Sequence, residues 1–261
     1  MATVIVIANQ KGGVGKTTLS TTLTDALTKC DYKTMLIDMD PQENSTSFMQ
    51  ATVQGAYTLH DVMEGECTVL EAVQHTPLGD ILPGDALISG KAAQYQMKLK
   101  GYNILNKALE PAKNEYDFII IDTPPSLGIF LVNALTAADE VIIPVKAEKF
   151  AIDGLGNLMN TITEVKEECN PKLHILGAVL MAYDSRIGMD KQVKRQLPII
   201  GQEFNFTVFD TAIRVCQEVK KAQNNLESIF DAAPKSTATA DYLDLVKEII
   251  KELEELKAEE E

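Results

Sequence analysis

Lys11-Gly12-Gly13-Val14-Gly15-Lys16-Thr17-Thr18 decides how the rest of the chain is read. The octet follows the apolar run Val4-Ile5-Val6-Ile7-Ala8 and opens a stretch in which Leu19, Leu23, Ala26 and Leu27 recur at helical spacing. A glycine-rich turn between a strand and a helix is the setting a phosphate-binding loop requires. Three glycines let the backbone curl so that several amides point inward at phosphate oxygens, and the helix N-terminus adds the positive end of its dipole. In that arrangement Gly12, Gly13, Val14 and Gly15 supply amides, Lys16 reaches the β- and γ-phosphates, Thr17 offers its hydroxyl to magnesium, and Thr18 completes the loop. The general pattern G-x-x-x-x-G-K-[ST] places its first glycine at position 10, where this chain has Gln10. A second lysine, Lys11, stands at the loop's start instead.

Outward from the loop, further apolar runs appear at Met35-Leu36-Ile37, Phe118-Ile119-Ile120-Ile121, Val141-Ile142-Ile143 and Ile175 to Leu180. None alternates with polar residues, so both faces of each strand are buried, as in a parallel sheet covered by helices. Helical spacing recurs between them, for example at Leu155, Leu158, Met159 and Ile162. The order β-α-β-α predicts an α/β fold, a doubly wound, mostly parallel sheet flanked by helices, in one domain over residues 1–261. Residues 44–80 and 183–235 are the least regular. A C-terminal helix over about 239–258 carries one apolar stripe, Leu243, Val246, Ile249, Ile250, Leu253 and Leu256, and reads as packed on the domain. Its acidic end, Glu259-Glu260-Glu261, is unlike a membrane-surface helix.

Two aspartate clusters end strands. Met35–Ile37 runs into Asp38-Met39-Asp40-Pro41-Gln42, and Phe118–Ile121 runs into Asp122-Thr123-Pro124-Pro125. In open α/β sheets the carboxyl ends of strands line the ligand crevice. An acid there, after four apolar residues, has the form of a Walker-B element, which holds magnesium or its waters. One such Asp alone reads equally as a helix cap; two beside the same loop point to a nucleotide site.

Bulk composition sets limits. The chain has 261 residues, 45% hydrophobic, enough for one large α/β domain or two small ones. Cys30, Cys67, Cys169 and Cys216 are far apart with no CxxC pair, which removes support for zinc, iron–sulfur or disulfide frameworks and fits a reducing cytosol. No signal peptide or spanning segment is visible. A formal net charge of −14 opposes nonspecific binding to DNA or anionic membrane. The charge is uneven, however. Residues 181–225 hold seven cations (Arg186, Lys191, Lys194, Arg195, Arg214, Lys220, Lys221) against five acids. Lys191, Lys194 and Arg195 share one helical face at i, i+3, i+4, and Lys220 and Lys221 follow Arg214 closely. Together they form a candidate DNA-backbone surface, with an ordinary solvated face as the plain alternative.

With KGGVGKTT at 11–18, DMDPQ at 38–42 and YDFIIIDTPPSLG at 116–128, the sequence resembles the ParA/Soj family of partition ATPases, within the deviant Walker-A class of P-loop NTPases that includes MinD. ADEVIIPVKAEKFAIDGL at 138–155 and MAYDSR at 181–186 extend the resemblance over nearly the whole chain. The resemblance implies ATP and Mg²⁺ as cofactors. It implies that Lys11 reaches nucleotide phosphates across a sandwich dimer and that Lys16 and Thr17 are the Walker lysine and magnesium ligand. It makes Asp40 the group that orients the attacking water, Asp122 the holder of a magnesium-bound water, and Asp38 an outer-shell group. Arg214 falls where the family has a DNA-contacting arginine. The partners implied are a second copy, a ParB-type centromere-binding protein and nonspecific double-stranded DNA, without membrane, in a cytoplasmic, nucleoid-associated setting. Hydrolysis is expected to be weak and partner-stimulated. Other readings keep the switch and change the cargo to carboxysomes or chemoreceptor arrays, or replace DNA by membrane as in MinD. Two departures stand out. The family commonly has Gly where this chain has Glu43, so the loop after Asp40 is expected to differ, because a side chain resists positive φ. Residues 210–218 also depart from the family's text, which puts the base contacts in question.

Overall fold

The computed structural model describes residues 1–148 and 151–260, with side chains for all of these except 151–153 and 260. In chain order the strands are β1 (Thr3–Ile7), β2 (Thr34–Asp38), β3 (Gln74–Thr76), β4 (Gly79–Leu82), β5 (Phe118–Asp122), β6 (Glu140–Lys146) and β7 (His174–Met181). They lie in the order β3-β4-β2-β5-β1-β6-β7, all neighbours parallel except the β3–β4 hairpin. The helices are α1 (Lys16–Lys29), α2 (Asn44–Phe48), α3 (Leu59–Glu64), α4 (Val69–Ala72), α5 (Ile88–Met97), α6 (Ile104–Leu109), α7 (Ile129–Ala137), α8 (Ala151–Glu168), α9 (Gly188–Phe204), α10 (Gln217–Asn225), α11 (Ile229–Ala232) and α12 (Thr237–Glu260).

Alternate residues of each strand feed two cores, since successive side chains leave opposite faces. Val4, Val6, Ile119, Ile121, Val141 and Ile143 meet Tyr95, Leu105, Ala134 and Leu158 of α5 to α8. Ile5, Ile7, Leu36, Ile120 and Ile142 meet Leu19 and Leu23 of α1 and Tyr242, Leu245 and Ile249 of α12. Parallel register pairs Asp38 with Asp122 and Ile7 with Asp122. Two residues beyond Leu36 and Ile120, both acids therefore face the α1 side at the sheet's carboxyl edge. That register is what builds the site.

The five apolar runs are the five strands β1, β2, β5, β6 and β7. The stretch 44–80, expected to be irregular, contains β3 and the start of β4, short strands in which His75 and Thr76 leave no apolar run to read. The stretch 183–235 contains α9 and α10, and residues 207–215 run parallel beside β7 through bridges Ala178↔Val208 and Tyr183↔Arg214. Phe209 packs over Gly177, where a Cβ would stand 2.9 Å from its ring. On α12 the buried stripe is Ala238, Tyr242, Leu245, Val246, Ile249 and Leu253, with Leu243, Ile250 and Leu256 only partly buried at its edge. Lys149 and Phe150 of the 138–155 motif, and Glu261 of the acidic end, lie outside the described residues.

Candidate nucleotide-binding site

The loop between β1 and α1 owes its shape to two left-handed glycines, Gly13 (φ 72°) and Gly15 (φ 100°). A side chain at Gly15 would also press on Met181, 3.2 Å from the added Cβ. Asn9 pins the loop's base: its Nδ2 donates to the Pro144 carbonyl (2.7 Å) and its Oδ1 accepts from the Lys11 amide (2.9 Å). Among the described residues, none of the amides of Gly12, Gly13, Val14 and Gly15 has an acceptor. Successive free amides in such a turn form an anion-binding nest.

Lys16 is buried at the start of α1, and its Nζ donates to the Lys11 carbonyl at 3.1 Å. Burial lowers its pKa, and the charges of Asp122 and Asp40 work against that. Asp122 has no exposed surface; its Oδ1 accepts from Ser20 Oγ (3.2 Å) and its Oδ2 from Ser45 Oγ (2.7 Å). Burial pushes the Asp122 carboxyl up, against the hydrogen bonds of Ser45 and Thr17 and the charge of Lys16. Asp38 is pushed up to about 7, by burial first and then by Asp122 opposite it. Both Asp38 oxygens are taken: Oδ2 by the Thr46 amide (2.8 Å) and hydroxyl (2.7 Å), Oδ1 by the Asp40 amide (3.1 Å). These bonds hold the loop that carries Asp40. Asp40 is 8% exposed and accepts from the Gln42 amide (3.0 Å).

Glu43 corrects an expectation about the loop after Asp40. It adopts the left-handed conformation (φ 56°) despite its side chain, so the turn favoured by glycine is kept. Its Oε1 accepts from the Ala86 amide at 2.6 Å, a bond that offsets part of the strain. The Lys11 stem lies on Gly154 of α8, where an added Cβ would stand 3.1 Å from Lys11 Cε.

Beside the loop is a cleft of about 450 Å³ lined by Gly13, Gly15, Thr18, Ile213, Arg214 and Gln223 among others. A larger cavity of about 660 Å³, between Met49, His75 and Leu226, touches none of the loop residues. The six candidate DNA-contacting cations are split. Lys191, Lys194 and Arg195 are exposed on one face of α9, with Lys194 Nζ 5.2 Å from the centre of the Tyr183 ring. Arg214 instead turns to α12: its guanidinium grips the Asp241 carboxylate in two-pronged fashion (Nη2 to Oδ1, 2.6 Å; Nε to Oδ2, 3.0 Å), and the same carboxylate accepts its amide. Asp241 is 7% exposed, whereas the Arg214 side chain keeps 52% of its surface open beside this ion pair. Lys220 and Lys221 are exposed on α10, with Lys220 at the cleft. Sequence reasoning missed Asn9, Ser20, Ser45, Thr46 and Gln223, which carry no motif spacing of their own.

A family model described as an AAA domain matches residues 2–175. The chain is 39% identical over 252 residues to the chromosome partitioning protein ParA of Caulobacter vibrioides, covering 95% of this chain and 93% of that protein. It is 35% identical over 254 residues to the sporulation initiation inhibitor protein Soj of Bacillus subtilis, covering 95% and 98%. The crystal structure of cobyrinic acid a,c-diamide synthase from Mycobacterium smegmatis with bound ADP and magnesium superposes with a TM-score of 0.84 at 29% identity, covering 97% and 96%. A phosphate nest at a helix start, a buried lysine and strand-end acids, on a sheet shared with these relatives, place the chain in the ParA/Soj family of P-loop ATPases.

Proposed function

We propose that the chain hydrolyses ATP with Mg²⁺, dimerises around it, binds double-stranded DNA without sequence preference in that state, and moves plasmid or chromosomal cargo with a ParB-type partner. One observation carries the reading: four loop amides without an acceptor among the described residues, buried Lys16, Asp122 and Asp40 converge at one sheet edge. The donor set suits a nucleoside triphosphate, because amides and a lysine take phosphate oxygens while a hydroxyl and a carboxylate suit magnesium. Thr17 and, through water, Asp122 would hold that ion, which neutralises charge at the β–γ bridge.

Each residue then has a task. Lys16 draws the β- and γ-phosphates into the nest. Asp40, the acid nearest solvent, orients the attacking water. Lys11, at the loop's rim, reaches the nucleotide of the second subunit and ties hydrolysis to dimerisation, as an arginine finger does. Hydrolysis is slow until the partner binds. The exposed α9 cations meet DNA phosphates in a nucleoid-associated, cytoplasmic setting. Among the described residues no helix is long and apolar enough to cross a membrane. The name of one relative, chromosome partitioning protein, supports a partition cargo.

The test is light scattering and DNA binding with ATP and Mg²⁺, ADP and Mg²⁺, and no nucleotide. The proposal expects a dimer and DNA binding with ATP alone. An ATP-bound monomer removes the sandwich dimer, and an ATP dimer that ignores DNA at low salt removes the partition reading.

A further inference from the structure

The nucleotide loop is tied to a helix that phosphate chemistry does not use. Gln223 of α10 donates from Nε2 to Oγ1 of Thr18, one residue beyond Thr17. Two more polar contacts continue along α1: Ser228 Oγ donates to Asp25, and Lys29 Nζ donates to Asp231 at 2.9 Å. Thr18, Asp25 and Lys29 stand at i, i+7 and i+11, on one face of the helix. The segment 223–231 is therefore stitched along the helix that the phosphate loop opens. Thr18, Gln223 and Lys220 also line the same cleft beside that loop. Lys220 and Lys221 sit less than one turn before Gln223, exposed.

The donor count gives this contact a direction. An amide nitrogen only donates, and a hydroxyl has a single proton to give. With Gln223 Nε2 donating, Thr18 Oγ1 accepts on that side and keeps its proton for another acceptor. A phosphate oxygen in the nest is such an acceptor, since Thr18 lies in the first turn of α1. The geometry points to Gln223 as a positioning residue that aims the Thr18 hydroxyl at the nucleotide and carries the loop's occupancy to α10 and its lysines. The second half rests on the DNA reading above; the first does not. Gln223 acts through Thr18, so its removal changes affinity and coupling rather than the chemistry itself.

A thermodynamic cycle tests both halves. Gln223→Ala, Thr18→Val and the double variant are titrated with ATP and with ADP by calorimetry, and the ATP-to-ADP ratio of DNA affinity is measured for wild type and Gln223→Ala. The expected result is an ATP affinity about 5-fold weaker in each single variant, consistent with one lost hydrogen bond, and no weaker in the double than in the worse single, since paired effects are not additive. Gln223→Glu is expected to bind worse than Gln223→Ala, because a carboxylate takes the Thr18 proton and sets a negative charge beside the phosphates. The ATP-to-ADP ratio for DNA falls towards one in Gln223→Ala while its ATP dimer still forms. Additive losses in the cycle, or wild-type ATP affinity in Gln223→Ala, overturn the positioning role. An unchanged DNA ratio in Gln223→Ala overturns the coupling. If wild type binds no DNA with ATP, the functional reading and the coupling fail together, and the cycle decides the positioning role alone.

Discussion

Lys16 balances charge at the site before any nucleotide arrives. It is the cation that opposes the burial of Asp122, and the charges of Asp122 and Asp40 in turn hold its own proton on. Lys16→Ala removes the cation from both the carboxylates and the phosphates, and is expected to weaken ATP binding by at least about 100-fold, the scale of a lost buried charge partner. Calorimetry reads this, and near wild-type affinity would discard the assignment. Asp40 and Lys11 separate by role. Asp40→Ala is expected to bind ATP and accumulate as a dimer with hydrolysis lost, because only the water's orienting group is gone. Lys11→Ala is expected to bind nucleotide and stay monomeric. Light scattering with ATP and Mg²⁺ distinguishes them, and normal dimers and turnover in both variants would end the sandwich mechanism. The phosphate loop and both acids are legible in sequence because their spacing is imposed by a ligand of fixed shape. Ser20 and Ser45 are not, since a lone hydroxyl finds Asp122 only after β2, β5 and α1 have come together. Glu43 misleads for a related reason: its backbone preference is overruled by a bond to Ala86, 43 residues along the chain.

At the scale of elements, α1 carries a charge it would fold better without. Asp25 is 2% exposed, and its Oδ1 has no hydrogen-bond partner among the described residues, only the Lys29 ammonium at 3.9 Å. Burial pushes its pKa up to about 6 from an ordinary 3.8, against the Ser228 hydrogen bond and the charge of Lys29. The folded state therefore holds this proton more tightly than the unfolded chain does. The resulting penalty is absent below about pH 4, grows as pH rises towards about 6, and is complete above it, at roughly 2 to 3 kcal/mol. Asp25→Asn keeps an acceptor for Ser228 and removes the charge. Its thermal midpoint is expected to exceed wild type at pH 8 and to lose that advantage near pH 4; a gain that does not change with pH would contradict it. The elements themselves were legible in proportion to their burial. Strands β1, β2, β5, β6 and β7 are mostly buried and announce themselves as unbroken apolar runs. The β3–β4 hairpin sits at an edge, and residues 207–215 are held beside β7 by backbone bonds such as Phe209 N to Ala178 O (2.9 Å) and Ile213 N to Leu180 O (2.8 Å), which no side-chain pattern records.

For the whole molecule, a formal net charge of −14 must be reconciled with the polyanionic partner proposed above. Long-range repulsion is screened within about 8 Å at physiological salt, so a local basic face outweighs distant acids. Structure narrows that face. Arg214→Glu would set a second carboxylate against the buried Asp241 and remove that acid's ion-pair partner, so the change perturbs local packing as well as any DNA contact. The exposed trio on α9 is the cleaner probe. Three cations per subunit give six in a dimer, and at about −0.9 per neutralised phosphate the log–log salt slope is roughly −5. Lys220 and Lys221 steepen it if α10 meets the same duplex. The variant carrying Lys191→Glu, Lys194→Glu and Arg195→Glu is expected to lose binding equally on any mixed-sequence duplex, to flatten the slope, and to keep its ATP-driven dimer, because none of these side chains lines the cleft beside the loop. A salt titration of DNA binding with ATP and Mg²⁺ measures all three. Sequence-selective loss would mean base contacts rather than backbone neutralisation. Binding and slope equal to wild type would remove α9 from the interface and leave Lys220 and Lys221, on the helix that Gln223 ties to the nucleotide loop, as the remaining basic surface among those named.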